Sequence, residues 1–164
     1  VSTEIERRFL VAAPPGPDEL GPGVPLRQGY LAGEGDVESR VRIAPAQAWL
    51  TVKAGTGMMR TEVEVPIPLD AAEALWAHTA GRRLEKIRHR VTVDGGVAEV
   101  DRYGGPLEGL WTVEVEFTSA EDAARFVPPA WFGAEVTDDP AWTNASLARH
   151  GRPDRPRGDA ANRG

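Results

Sequence analysis

Charges recur at every second position through most of the extended segments of this chain. Glu4, Glu6 and Arg8 alternate with Ile5 and Arg7, and Arg40 and Arg42 flank Val41. Thr51 and Lys53 flank Val52, Glu62 and Glu64 flank Val63, and Lys86, Arg88 and Arg90 share one side opposite Ile87. Glu99 and Asp101 flank Val100, and Glu114 and Glu116 flank Val115. Side chains two apart lie on the same face of a strand, so each segment reads as a strand with one charged face. The charges come in same-sign groups, and like charges at that spacing repel unless a ligand or metal compensates them. One reading is an ordinary sandwich whose charged sides face solvent. A closed barrel with the charged faces inward accounts for all the strands at once. Such a lumen offers carboxylates, which suit Mg²⁺ or Mn²⁺, and several Arg and Lys, which suit a polyanion rich in phosphate oxygens. A metal-bound oligophosphate needs both. Burying so many charges in an empty lumen is too costly, so it must be hydrated or filled.

The strands expected from this alternation are 4–11, 26–31, 38–44, 48–54, 60–67, 84–93, 98–103 and 111–118, most of them separated by turns containing Gly or Pro. Helical signals are fewer. Segment 69–79 starts near Asp70 after Pro68 and ends before Gly81; 119–126 carries Ser119 three residues before Asp122; and 140–150 ends at Gly151. The 18 Gly and 14 Pro in 164 residues suit many short strands better than a helical bundle. The fold class expected is α+β, mainly antiparallel β, as an eight-stranded closed tunnel barrel with a charged lumen and a few outer helices. Residues 1–150 read as one domain. Residues 151–164, without a large apolar side chain, read as a disordered tail.

Several chemistries are excluded. Cysteine is absent, which removes disulfides, thiolate nucleophiles and Cys-zinc sites. No apolar run approaches the ~18 residues of a membrane helix. The first residues are charged at once, so no signal peptide is expected and the cytoplasm is the expected setting. The net charge of −6 argues against a nucleic-acid partner. His78, His89 and His150 stand singly and read as structural. The five tryptophans read as core or barrel-covering residues, not a base-stacking platform. There is no Walker-type phosphate loop.

The run Glu4-Ile5-Glu6-Arg7-Arg8 resembles the Glu-x-Glu-x-Lys signature of the CYTH superfamily, the triphosphate tunnel metalloenzymes. Further landmarks follow in order: Gln28-Gly29-Tyr30-Leu31, Arg40-Val41-Arg42, Thr51-Val52-Lys53, Glu62-Val63-Glu64, Lys86-Ile87-Arg88, Glu99-Val100-Asp101, Glu114-Val115-Glu116 and the run from Trp131 to Thr137. The resemblance spans residues 3 to about 149. It implies an eight-stranded tunnel that binds a triphosphate with divalent metal ions, and the EIER-type start with QGYL is similar to bacterial inorganic triphosphatases. Carried over position by position, it implies Glu4, Glu6, Asp101, Glu114 and Glu116 as metal ligands and Arg8, Arg40, Arg42, Lys53, Lys86 and Arg88 as substrate-binding cations. Arg8 and Tyr30 match the pair that helps activate the attacking water. Arg8 departs from the signature Lys, and Arg stays protonated.

Hydrolysis of inorganic triphosphate with Mg²⁺ or Mn²⁺ is therefore the leading expectation. The alternatives are an enzyme of organic triphosphates (a nucleoside or thiamine triphosphatase, or a class IV adenylyl cyclase) and a non-catalytic polyphosphate- or nucleotide-binding module. An apolar-ligand barrel conflicts with the paired charges. The expected partner is a triphosphate-containing small molecule, with no nucleic acid or membrane; a homodimer stays open. Glu62 and Glu64 are expected to line the tunnel and pair with arginines, or to contact metal. Glu135 to Asp138 is expected near the rim, and Asn144 in a helix that plugs one end.

Overall fold

The computed structural model describes residues 2–56 and 59–154. In chain order the elements are β1 (Ser2–Val11), α1 (Pro17–Leu20), β2 (Gly23–Glu34), β3 (Val37–Ile43), β4 (Ala48–Ala54), β5 (Met59–Ile67), α2 (Leu69–Trp76), β6 (Arg83–Val93), β7 (Gly96–Tyr103), β8 (Trp111–Phe117), α3 (Ala120–Arg125), β9 (Phe132–Glu135) and α4 (Asn144–His150). The sheet runs β5-β4-β3-β2-β6-β7-β8-β1-β9, and β1 pairs back to β5. Eight antiparallel strands thus close into a ring. β1 closes it by pairing β5 through Ser2–Ile5 and β8 through Ile5–Leu10, while Phe9 and Val11 hold β9.

The alternation sorts side chains between two environments. Odd-numbered Ile5 and Phe9 of β1 join Val100, Val113 and Val115 in an apolar cluster outside the ring, closed by Phe126 and Phe132. Each such buried side chain contributes roughly 1.5–3 kcal/mol. On the far side, Val41, Ile43 and Ala48 pack under Ala72 of α2. The even-numbered residues Glu4, Glu6 and Arg8 face the interior cavity. Leu10 continues that row, Leu84 continues the row of Lys86 and Arg88, and Tyr103 that of Asp101. These residues pack with Leu147 of α4 and with Trp142, so an apolar cluster closes one end of the ring. Gly29 sits where a Cβ would lie 2.5 Å from Thr79 Oγ1, so only glycine lets the segment after α2 dock on β2.

Several boundaries differ from expectation. β2 begins at Gly23, earlier than Leu26. The helix expected over 69–79 ends at Trp76 and continues as a 3-10 turn. The one expected over 140–150 is broken at Thr143, whose side chain caps α4 by accepting from Ser146 N. Ser119 caps α3 through Asp122 N, as its spacing predicts. α1 and β9 are additions, and the expected tail lies outside the described residues from 155 on. No helix among the described residues is long and apolar enough to cross a membrane.

Candidate active site in the ring interior

The interior holds a cavity of about 460 Å³. Glu4, Glu6, Glu114 and Glu116 line it together with Arg8, Arg40, Arg42, Lys53, Arg88 and Tyr30, so ten of the twelve expected site residues meet in one space. Lys86 and Asp101 lie behind this wall, 3% and 0% exposed. Gln28, Glu38, Arg60 and Thr143 also line the cavity. They were absent from the sequence-derived site, although Gln28, Glu38 and Arg60 each stand two residues from an expected member, the signal already used for the others.

From alternation alone, the same-sign charges call for a ligand or metal. In the fold, the neighbouring strand supplies part of the compensation, because register sets basic strands beside acidic ones. Arg42 Nη2 donates to both Glu64 oxygens at 2.9 Å, and Thr51 Oγ1 donates to Glu64 Oε2 at 2.9 Å. Lys53 Nζ lies 2.7 Å from Glu4 Oε2 and 3.1 Å from Glu62 Oε2. Glu62 and Glu64 therefore line the site and pair with cations, Glu62 with a lysine. Arg88 donates from Nε and Nη2 to the two oxygens of Asp101 at 2.7 Å each, and it also pairs with Glu99. Lys86 Nζ takes Asp101 Oδ2 at 2.6 Å. Arg8 spans two groups, pairing with Glu114 and donating from Nη1 to Trp142 O at 2.5 Å. The end-closing segment is thereby tied to the signature strand.

Among the described residues lining the cavity, Arg40, Glu6 and Glu116 are short of ion-pair partners. Arg40 is 7% exposed, makes no ion pair among the described residues, and its Nε has no hydrogen-bond partner. Burial works against its charge, but Tyr30 and Glu62 outweigh that and hold the guanidinium firmly protonated. Glu6 and Glu116 are cross-strand partners on β1 and β8. Burial, then Glu114, pushes the Glu6 carboxyl up to about 7, and burial, then Glu62, raises Glu116. By contrast, burial opposes ionisation of Glu114 and Asp101, but Arg8 and Arg88 hold the first below the usual carboxylate range, and Arg88 and Lys86 the second. Burial, then Arg88, brings Lys86 down to about 8. Tyr30 is wholly buried; burial raises its phenol above the ordinary range, and its oxygen accepts from Gln28 Nε2 at 2.6 Å.

Among the described residues no three metal-ligating side chains converge on one point. The donor set still fits a hard cation. Glu6 and Glu116 are oxygen donors whose mutual charge a divalent ion would relieve. Asp101 and Glu114 can serve only if their arginines turn elsewhere.

No family model matches the chain. It is 45% identical over 148 residues to an inorganic triphosphatase of Nitrosomonas europaea, covering 89% of this chain and 97% of that one. The chain belongs to the inorganic triphosphatases of the CYTH superfamily. A second inorganic triphosphatase, from Acetivibrio thermocellus, is 36% identical over 149 residues, covering 90% of this chain and 94% of the relative. The crystal structure of an inorganic triphosphatase superposes with a TM-score of 0.66 at 43% identity, over 89% of this chain and 97% of that one. A candidate adenylyl cyclase from Hippeastrum with dominant triphosphatase activity shares the fold alone, with a TM-score of 0.53 at 16% identity over 74% and 82% of the two chains. Within the signature run, the Arg8 side chain touches both Glu114 and the closing segment.

Proposed function

We propose that this chain hydrolyses inorganic triphosphate to diphosphate and orthophosphate inside the ring, with Mg²⁺ or Mn²⁺, in the cytoplasm and with residues up to about 150 as the catalytic unit. The observation that carries the reading is Arg40, a buried guanidinium with no carboxylate on it, facing a cavity lined by further cations. A buried cation without an anion is strongly unfavourable, and a phosphate oxygen removes that cost. The relatives named inorganic triphosphatases add support for the substrate.

Binding in this reading is an exchange of partners. Arg8, Arg42, Lys53 and Arg88 exchange carboxylates for phosphate oxygens, and Arg40 has no ion pair to give up. Glu4 and Glu114, once released, would hold the cation together with Glu6 and Glu116. Lys86 holds Asp101 and thereby the base of Arg88, and both reach substrate or metal only through that exchange. When bound, the divalent ion neutralises phosphoryl oxygens and acidifies a water. Tyr30, held by Gln28 and kept protonated by burial, orients the attacking water through its hydroxyl. Arg8 remains charged throughout and steadies the terminal phosphate and the developing charge. A phosphate-release panel tests this. Triphosphate, diphosphate, ATP and thiamine triphosphate are each assayed with Mg²⁺, Mn²⁺ and a chelator. Release from triphosphate above the other three, abolished by chelator, is expected; preference for ATP or thiamine triphosphate assigns the site to an organic substrate.

A further inference from the structure

Arg149 stands in the last turn of α4, and its guanidinium carbon lies over the Tyr30 ring, 5.3 Å from the centroid. The phenol oxygen is held by Gln28 of the same strand, which donates to it at 2.6 Å, and the charge of Arg40 on β3 acts on it. The face of the ring is held from α4. Arg149 Nη1 donates to Ala145 O at 3.3 Å, which draws the side chain back along the helix towards Tyr30. A basic residue in a last turn complements the helix dipole without any aromatic partner, so that role does not require this placement. A cation on an aromatic face shifts an equilibrium by about 2- to 30-fold. The helix that presents Arg149 is itself fixed, by the Thr143 cap, by buried Leu147 and by Arg8 on Trp142 O.

We infer that Arg149 is a positioning residue for the reaction: from the end-closing helix it pins the face of Tyr30 and so fixes the hydroxyl that orients the attacking water. The inference rests on the reading of Tyr30 as a catalytic group. The end-closing helix then has a task in turnover besides covering the apolar end of the ring.

The test is a double-mutant cycle in triphosphate hydrolysis with Arg149→Met, Arg149→Lys, Tyr30→Phe and the double variant Arg149→Met with Tyr30→Phe, each checked for an unchanged unfolding midpoint. Arg149→Met keeps bulk and removes the charge. It is expected to lower kcat about 5- to 10-fold with KM unchanged, and Arg149→Lys to recover most of that loss. In the Tyr30→Phe background Arg149→Met is expected to cost nothing further, because the hydroxyl it places is gone. Arg149→Met with wild-type kcat beside an impaired Tyr30→Phe overturns the inference and leaves the reading of Tyr30 standing. Additive losses overturn it likewise. Wild-type kcat in Tyr30→Phe overturns the reading of Tyr30 and the inference with it.

Discussion

Glu6 and Glu116 stand opposite each other across β1 and β8, two carboxylates without the close arginines that compensate the other facing pair, Glu99 and Glu114. Arg8 approaches Glu6 only to 4.0 Å, and Glu116 makes no ion pair among the described residues. The ring therefore carries a poorly compensated negative point and, lining the same cavity, an Arg40 with no ion pair among the described residues. The two defects have opposite sign, and a metal-bound polyphosphate is the ligand that satisfies both at once.

The first defect has a pH signature. The Glu6 carboxyl sits at about 7 in the folded protein against an ordinary 4.5. Above 4.5 the fold keeps a proton that the unfolded chain releases. The protonated form's stability is complete below 4.5 and is lost as pH rises towards 7. Glu114, held low by Arg8 and Arg88 against burial, titrates on the acid side of this window. The metal-free protein is expected to lose about 5 °C of unfolding midpoint from pH 5 to pH 7.5. Glu6→Gln should flatten that slope, and Mn²⁺ at pH 7.5 should restore the midpoint. Equal slopes in wild type and Glu6→Gln place the cost elsewhere.

The second defect separates binding from stability. Arg40→Met removes a buried guanidinium that makes no ion pair among the described residues, although Tyr30 and Glu62 help hold its charge. The ligand-free protein should keep its unfolding free energy within about 1 kcal/mol, while the KM for triphosphate rises about 10- to 100-fold. Steady-state kinetics beside thermal unfolding measures both. A KM within twofold of wild type removes Arg40 from the binding site.

Asp101 holds two cations behind the cavity wall, and Lys86 holds one carboxylate. Asp101→Asn leaves Lys86 with no ion pair among the described residues, while Arg88 keeps Glu99 and Glu114, and is expected to cost about 3–5 kcal/mol. Lys86→Met leaves Asp101 with Arg88 and should cost clearly less. Urea unfolding of the two variants orders them; a larger loss in Lys86→Met contradicts the pairing.

Arg8→Lys keeps a cation beside Glu114 and gives up the bond to Trp142 O. A loss of about 1–2 kcal/mol in unfolding free energy is expected with turnover within about tenfold of wild type, because the position serves by charge and not by proton transfer. Loss of turnover in Arg8→Lys, with folding intact, ties the chemistry to the guanidinium fork itself.

The strands and the inward set were legible because one face of each strand meets charge and the other meets apolar cover, so period two survives in the sequence. β9 escaped because four residues hold only the end of β1; its signal was Gly133, where a Cβ would lie 3.2 Å from Leu10 O and from Ala12 N. α1 escaped inside a Gly- and Pro-rich stretch, although Pro17 with Asp18 and Glu19 is an ordinary first turn. Which carboxylates are paired was not fully legible: Arg88 faces Asp101 across the β6–β7 hairpin, but Lys53 choosing Glu4 depends on strands distant in sequence. Nor could alternation tell Lys86 from Arg88, two residues apart on one face: the first is sealed beside the closing cluster and the second borders the cavity.

Metal-dependent hydrolysis of inorganic triphosphate is proposed to run through the carboxylates of the ring interior. Orthophosphate release from triphosphate by the intact chain tests it most directly, measured with Mg²⁺ or Mn²⁺, with chelator, and with Glu116→Gln. One orthophosphate and one diphosphate per triphosphate are expected, with arrest in chelator and a loss of about 100-fold or more in Glu116→Gln. No release with either metal, or release undiminished in chelator and in Glu116→Gln, contradicts it.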